Sequence, residues 1–300
     1  MLNSLYSGIT GMKGQQTKMD VIANNISNVN TTGYKSQRVR FQDMISQMNA
    51  NAQGANNNGR GGINAQQVGL GTQVATTDVM MGGGSLQFTG RNLDFGIQNG
   101  DNSFFVVSES GNAGEPMQYT RDGGFYTDTN GNLTTSNGFR VMGYSAGTPA
   151  NVNGFNAANL TGQAVGPLSI PETIPNPAGG GVLTIQDYSI DNTGTILGTY
   201  SNGEAYVLGR IALSNFANPD GLEKVGDNMY NSSANSGQPT YGGPSDDGFG
   251  TIRSGFMEMS NVDLATEFTE MIVASRAYQA NSRSITTSDE MLQELINLKR

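Results

Sequence analysis

Residues 2–30 read LNSLYSGITGMKGQQTKMDVIANNISNVN and place apolar side chains at Leu2, Leu5, Ile9, Met12, Met19, Ile22, Ile26 and Val29. Residues 262–300 answer with Leu264, Phe268, Met271, Tyr278, Ile285, Leu292 and Ile296. Both series step by threes and fours, or by sevens where a small or polar residue fills one step. That is the pattern of a coiled-coil seam or of a helix buried on one side. The sequence between them is glycine-rich and strand-like, so the two helices meet only if the chain leaves an α-helical layer and returns to it. The expected fold is therefore mixed and segregated. N- and C-terminal helices pair in a coiled-coil-like core layer, and a mainly antiparallel β-rich outer domain lies between them. Such a layout suits a subunit that assembles through its termini.

Working outward, the first helix is expected to start near Leu2 and end near Asn28 to Asn30. Gly8, Gly11 and Gly14 weaken it by roughly 1 kcal/mol each relative to alanine, so it needs packing partners to form. Gly33 is a natural left-handed stop. The Asn/Gly stretch at 49–62, NANAQGANNNGRGG, is expected to be an extended or mobile link. Period-two patterns predict strands at 68–74, 85–89, 93–97, 103–107, 138–144, 182–185, 188–190, 195–197, 205–213 and 228–230. Hairpin turns are expected at Arg121-Asp122-Gly123-Gly124 and at Asn130-Gly131-Asn132. For the last helix, Ser260 is the expected cap, with Asp263 closing a capping box. The expected segments are 1–35 (core helix), 36–75 (linker), 76–255 (β-rich, with a small insertion at 145–180) and 256–300 (core helix).

Composition narrows the function. The chain has 300 residues, Gly 42, 14% charged residues, and neither cysteine, histidine nor tryptophan. Without cysteine there is no disulfide framework and no thiol nucleophile. Without histidine a Ser-His-Asp triad is excluded, and so are most zinc sites. The net charge is −9, distributed as +3 over residues 1–50, −9 over 51–255 and −3 over 256–300. Opposite signs on the terminal segments favour their association, and there is no basic footprint for nucleic acid. The first twenty residues have no continuous apolar stretch, so no secretory signal is expected there. No run of eighteen apolar residues exists, so no membrane insertion is expected either.

Candidate chemistry is sparse. Asp128, Asn130 and Asn132 have the alternate spacing of a calcium loop, but the glycine falls at Gly131 and no glutamate closes the loop, so a hairpin is expected. Gly69-Leu70-Gly71 opens like a nucleotide fingerprint, yet Val74 stands at the third glycine position. Asp246-Asp247 follow Pro244 in a Gly-rich stretch and suggest a solvated turn rather than an acid-base pair. No catalytic residue, cofactor or metal is expected.

The segment Ala23-Asn24-Asn25-Ile26-Ser27-Asn28-Val29-Asn30-Thr31-Thr32-Gly33-Tyr34-Lys35 closely resembles the N-terminal signature of bacterial flagellar rod and hook proteins. Its C-terminal counterpart is present in Ser260-Asn261-Val262-Asp263-Leu264, Met271-Ile272 and Arg276-Ala277-Tyr278-Gln279-Ala280-Asn281. Lesser matches include Gly84-Ser85-Leu86 and Tyr119-Thr120-Arg121-Asp122-Gly123. Within the family, Gly61-Gly62-Ile63-Asn64, Gln67-Val68-Gly69-Leu70-Gly71, Arg140-Val141-Met142-Gly143-Tyr144 and Leu295-Ile296-Asn297-Leu298 look like hook proteins of Gram-positive bacteria. The distal rod is the alternative, because the insertion at 145–180 is small for a hook.

The resemblance implies a self-assembling tubular polymer outside the cell, exported unfolded by the flagellar type III apparatus. The implied neighbours are the distal rod, hook cap and hook–filament junction proteins. It also implies mechanical work: a hook bends as a universal joint while passing motor torque to the filament. Subunit contacts are expected through Leu5, Ile9, Met12, Met19, Ile22, Ile26, Leu264, Phe268, Met271, Tyr278, Ile285 and Leu292. The family motif is carried by Ala23, Asn24, Asn25, Asn28, Gly33, Tyr34, Ser260, Asn261 and Val262. The alternative from a different class is a binding module held on a helical stalk, which would remain a monomer or a small closed oligomer.

Overall fold

The structure is a computed structural model that describes residues 2–54, 61–111, 116–151, 164–176 and 181–298. The chain divides into two compact units. One gathers Met1–Ser27, Gln37–Met80 and Val262–Arg300, and the other gathers Asn28–Ser36 and Met81–Asn261.

In the first unit, helix α1 (Leu2–Ser27) runs antiparallel to helix α2 (Leu264–Leu298). The partners fix that direction: Ser4 meets Ser288, Gly8 faces Ile285, and Asn25 meets Glu267. Helix α1 stops slightly short of the expected end, because the Asn28 carbonyl accepts the Thr31 amide at 3.1 Å and Gly33 turns at φ +66°. The expected capping box on Ser260 does not form. Asp263 is itself the cap: its Oδ1 accepts the Ala265 amide at 3.0 Å and its Oδ2 the Thr266 hydroxyl at 2.8 Å. The reason is upstream, where Asn261 is already committed to Ser36 and Gly82, so the helix begins only beyond it.

The expected strand at 68–74 is two strands, Gln66–Gly69 and Thr72–Val79, separated by a turn in which Gly71 has φ +119°. The first pairs with Ser46–Ala50 and the second with Gln37–Asp43, both antiparallel. The stretch 49–62 is therefore not a link to the β-rich body in its described part. Its arms pair, with Gln53 and Ile63 exchanging two backbone bonds of 2.9 Å, and the chain continues within the same unit. Residues 55–60 lie outside the described residues.

The second unit is the β-rich body. Its main sheet runs, in spatial order, Thr173–Pro175, Val182–Ile190, Thr195–Tyr200, Ala205–Ile211, Arg140–Asn151, Ser103–Ser108, Met117–Thr120, Met229–Asn231 and Glu223–Gly226. Every pairing is antiparallel, as the turn-rich sequence requires. Phe95, Phe105, Phe125, Leu133, Val141, Ile196, Ile211, Leu213 and Ile252 are fully buried and form one core. The turn at 130–132 is the expected hairpin, with Gly131 at φ +77°. The turn at 121–124 is not. Met117–Thr120 pairs with Ser103–Ser108 and Met229–Asn231, whereas Phe125–Thr127 pairs with Leu133–Thr135. The Gly123 carbonyl instead accepts the Phe95 amide at 3.0 Å, so the chain crosses between ladders there.

Within 145–180, residues 145–151, 166–167 and 173–175 are strands of this sheet, while 152–163 and 177–180 lie outside the described residues. Asp246 is more than a solvated turn. It accepts the Gly243 amide at 2.7 Å and pairs with the buried Arg210 at 3.0 Å.

Candidate functional site: the paired termini and the signature segment

Two helices approach closely only where side chains are small, and that chemistry sets the phase of the α1–α2 contact. A Cβ on Gly8 would stand 3.0 Å from Ile285 Cγ1, and one on Gly11 would stand 2.7 Å from Asn281 Nδ2. Ser4 hydrogen-bonds Ser288 at 3.5 Å, Lys18 pairs with Glu270 at 3.1 Å, and Asn25 Nδ2 donates to Glu267 Oε1 at 3.0 Å. Positions 4, 8, 11, 18 and 25 keep a heptad phase, and Ala274 and Ser288 are the buried residues of the facing helix. The glycines that weaken α1 as an isolated helix thus admit its partner. Gly14 serves a third neighbour, since its Cβ position lies 3.0 Å from the Phe41 ring.

Of the apolar series, Ile285 faces Gly8 in this contact, and most of the other members are covered only in part or not at all. Ile22 is buried within the subunit. Leu5, Met12, Met19, Ile26, Met271, Ile285 and Leu292 are half-buried, and Ile9, Leu264, Phe268 and Tyr278 are exposed. Phe268 is 50% and Ile272 63% exposed, and Leu298 at the far end of α2 is 83% exposed. Among the described residues, Ile22 and Ala274 are the buried apolar side chains of the whole first unit. The exposed large apolar residues all belong to that unit except Phe88, Tyr126, Val182, Val225 and Tyr241. One unit has a finished core and the other displays its apolar surface.

The signature motif divides between the two. Asn25 stays in the first unit and is buried. Its Oδ1 accepts the Gln37 amide at 3.0 Å and its Nδ2 donates to the Gln37 carbonyl at 2.8 Å. Ala23 and Asn24 are exposed on the same helix, and Asn28 is half-buried just past its end. Gly33, Tyr34 and Lys35 are buried in the body. Asn228 Nδ2 holds the Thr32 carbonyl at 3.0 Å, the Thr32 hydroxyl bonds Asp122 at 3.1 Å, and the Lys224 ammonium sits 4.1 Å above the Tyr34 ring. Ser260 is buried, and Asn261 and Val262 are half-buried.

Beneath the motif is a group that local sequence did not reveal. Glu258 is 1% exposed and lies between Lys35 (Nζ to Oε1, 2.6 Å) and Arg121 (Nη1 to Oε2, 3.1 Å), both equally buried. Burial would raise the Glu258 carboxyl, but Arg121 and then Lys35 outweigh it and hold the group below its ordinary value. For Lys35 the balance goes the other way: burial lowers the ammonium more than Glu258 raises it. Lys35 and Arg121 lie in the motif stretches quoted above and Glu258 does not, and only the fold brings the three together. Among the described residues no group of three His, Cys, Asp or Glu side chains could hold a metal ion. No described helix is long and apolar enough to cross a membrane.

A closed body carrying a terminal helix pair with uncovered apolar faces defines an assembling structural subunit. Comparison with known proteins gives that class its family. Residues 5–35 match the family described as flagella basal body rod protein, 99–198 the flagellar hook protein FlgE/F/G D1 domain, and 253–298 the flagellar basal body rod FlgEFG protein C-terminal family. The chain is 45% identical over 301 residues to the flagellar basal-body rod protein FlgG of Bacillus subtilis, with all of both chains covered. It is 36% identical over 300 residues to the FlgG of Borreliella burgdorferi, and 32% identical over 449 aligned positions to the flagellar hook protein FlgE of the same organism, again with full coverage of both. The chain belongs to the family of flagellar basal-body rod and hook proteins. It is a structural protein of the flagellum, and the helix-flanked antiparallel fold expected from the sequence is the observed one.

Proposed function

We propose that the protein polymerises through its terminal helices into a tubular helical assembly and serves as the flagellar hook, bending while it transmits torque. One observation carries the polymer. The first unit buries Ile22 and Ala274 and leaves Ile9, Leu264, Phe268, Ile272, Tyr278 and Leu298 open. Apolar surface on that scale is covered by neighbours rather than by water. An identical subunit meeting a different face at each contact generates an open helix. The expected contact residues are those of the apolar series, from Leu5 to Ile26 and from Leu264 to Leu292. The hook assignment is supported by the motifs at 61–71, 140–144 and 295–298 and by the hook relative that spans the whole chain.

A second reading, the distal rod, is favoured by the 45% identical relative of nearly equal length that carries the rod name. In that role the same polymer is a straight drive shaft. Passage through the flagellar type III apparatus belongs to either role, as do end-to-end junctions with adjoining axial proteins and the hook cap. Electron microscopy of the purified, assembled protein tests all of this. A curved tube supports the hook, a straight rigid tube supports the rod, and soluble monomers at every concentration overturn the polymer itself.

A further inference from the structure

The chain passes between its two units at 27/28, 36/37, 80/81 and 261/262. On the body side, three of these crossings end in one knot of hydrogen bonds. The Ser36 amide donates to Asn261 Oδ1 at 2.8 Å, and Asn261 Nδ2 donates to the Gly82 carbonyl at 3.1 Å. Lys35 Nζ reaches the same Gly82 carbonyl at 3.0 Å and Glu258 Oε1 at 2.6 Å. Glu258 Oε1 also accepts the Gly84 amide at 2.9 Å, and the Glu258 carbonyl accepts the Gly33 amide at 2.8 Å. The Met259 amide completes the knot on the Ser85 carbonyl at 2.9 Å. Through Oε2 the same carboxylate holds Arg121, whose Nη2 donates to the Gly100 carbonyl at 2.6 Å and also to the Asp101 carbonyl.

We propose that Glu258 and Asn261 form a clamp that fastens the three chain exits at 36/37, 80/81 and 261/262 to one another and to the body, so that load entering by any one exit is shared by all three. The geometry suits the task. Charge-assisted hydrogen bonds are roughly twice as strong as neutral ones, and the low dielectric of a buried site strengthens them electrostatically. Glu258 and Asn261 both stand at the 261/262 exit and each reaches the other two, Glu258 through Gly33, Lys35 and Gly84 and Asn261 through Ser36 and Gly82, so neither can be withdrawn without loosening what the other holds. This deepens the mechanical role proposed above and rests on it only for the source of the load. Glu258 acts here as a positioning residue.

The test is amide hydrogen exchange on the full-length, unpolymerised chain, comparing wild type with Glu258→Gln and with Asn261→Ala. The expected result for Glu258→Gln is a concerted rise of about tenfold or more at Gly33, Ser36, Gly84 and Met259, with the Ser103–Ser108 strand still protected. Ser36 is decisive, because its amide is bonded to Asn261 and not to Glu258. Asn261→Ala, which leaves all three charges in place, should reciprocally speed Gly84. If Glu258→Gln moves only Gly33 and Gly84, or if Asn261→Ala leaves Gly84 unchanged, the clamp is overturned. Should Glu258→Gln fail to fold, Asn261→Ala alone decides in the same way. Because the exchange is read before assembly, a failed clamp is distinguishable from a failed polymer, which microscopy of the same preparation reports.

Discussion

Asn25 hydrogen-bonds Gln37 twice, accepting its amide at 3.0 Å and donating to its carbonyl at 2.8 Å, so one side chain imitates a strand partner. The intervening segment, Asn28–Ser36, belongs to the body. Asn25 therefore closes a loop at the point where the chain departs and returns. Replacing it with alanine leaves two backbone groups and Glu267 without their partner, at a cost of about 1–3 kcal/mol. Asn25→Asp should be worse than alanine, because it sets a carboxylate against both Glu267 and the Gln37 carbonyl. Thermal melting of the assembled polymer, followed by its helical circular dichroism, should rank wild type above Asn25→Ala and Asn25→Asp last.

Gly33→Ala should destabilise the body. The residue has φ +66°, and a Cβ there would stand 2.7 Å from the Asp122 nitrogen and 2.8 Å from the Arg121 carbonyl carbon, which are backbone atoms that cannot step aside. A loss of at least about 2 kcal/mol in urea unfolding is expected. A change under about 0.5 kcal/mol would contradict this account of the motif.

Phe268→Ser and Ile272→Ser should leave the isolated subunit nearly unchanged, within about 0.5 kcal/mol, since both side chains already face solvent. Polymerisation should be lost. Sedimentation across a concentration series reads this directly, and normal polymers from the double variant would remove α2's open face from the proposed interface.

Acid should loosen the body through Glu258. Its folded carboxyl lies below the ordinary value of 4.5, so the stabilisation is fully present above that pH. It is lost as pH falls through the lower folded value. Glu258→Gln removes this titration and leaves two buried cations without a counter-charge, at a cost of about 3–5 kcal/mol near neutrality. Unfolding midpoints measured from pH 7 to pH 3 should fall for wild type and be flatter, though lower throughout, for the variant.

The helices, the hairpin at 130–132 and the antiparallel body are legible in the sequence because each rests on local signals: periodicity, Asn-Gly turns and β-branched runs. The pairing face of α1 is not, and the reason is chemical. Leucine, isoleucine and methionine mark the residues that seek burial somewhere, whereas close helix approach is marked by Ser4, Gly8 and Gly11, which carry no apolar signal. The cap at Asp263 and the crossing at 121–124 were hidden for another reason. Both are decided by partners far along the chain, Ser36 and Gly82 holding Asn261 in one case and Phe95 holding Gly123 in the other. The buried set of Lys35, Arg121 and Glu258 spans 223 positions between its outer members. The motif spelling pointed to Lys35, but nothing near Glu258 announced its role.

The scant interior of the first unit has a consequence for where growth occurs. On the proposed polymer, each subunit has a body with its own core and termini whose described residues bury little among themselves. The tip supplies the missing interior, so folding of the ends and lengthening of the tube become one event. On that proposal two free subunits cover each other less than a tip does, so assembly of the purified protein should set in above a threshold concentration. Few buried residues at the ends would, in such a polymer, tie the timing of their folding to the moment of joining.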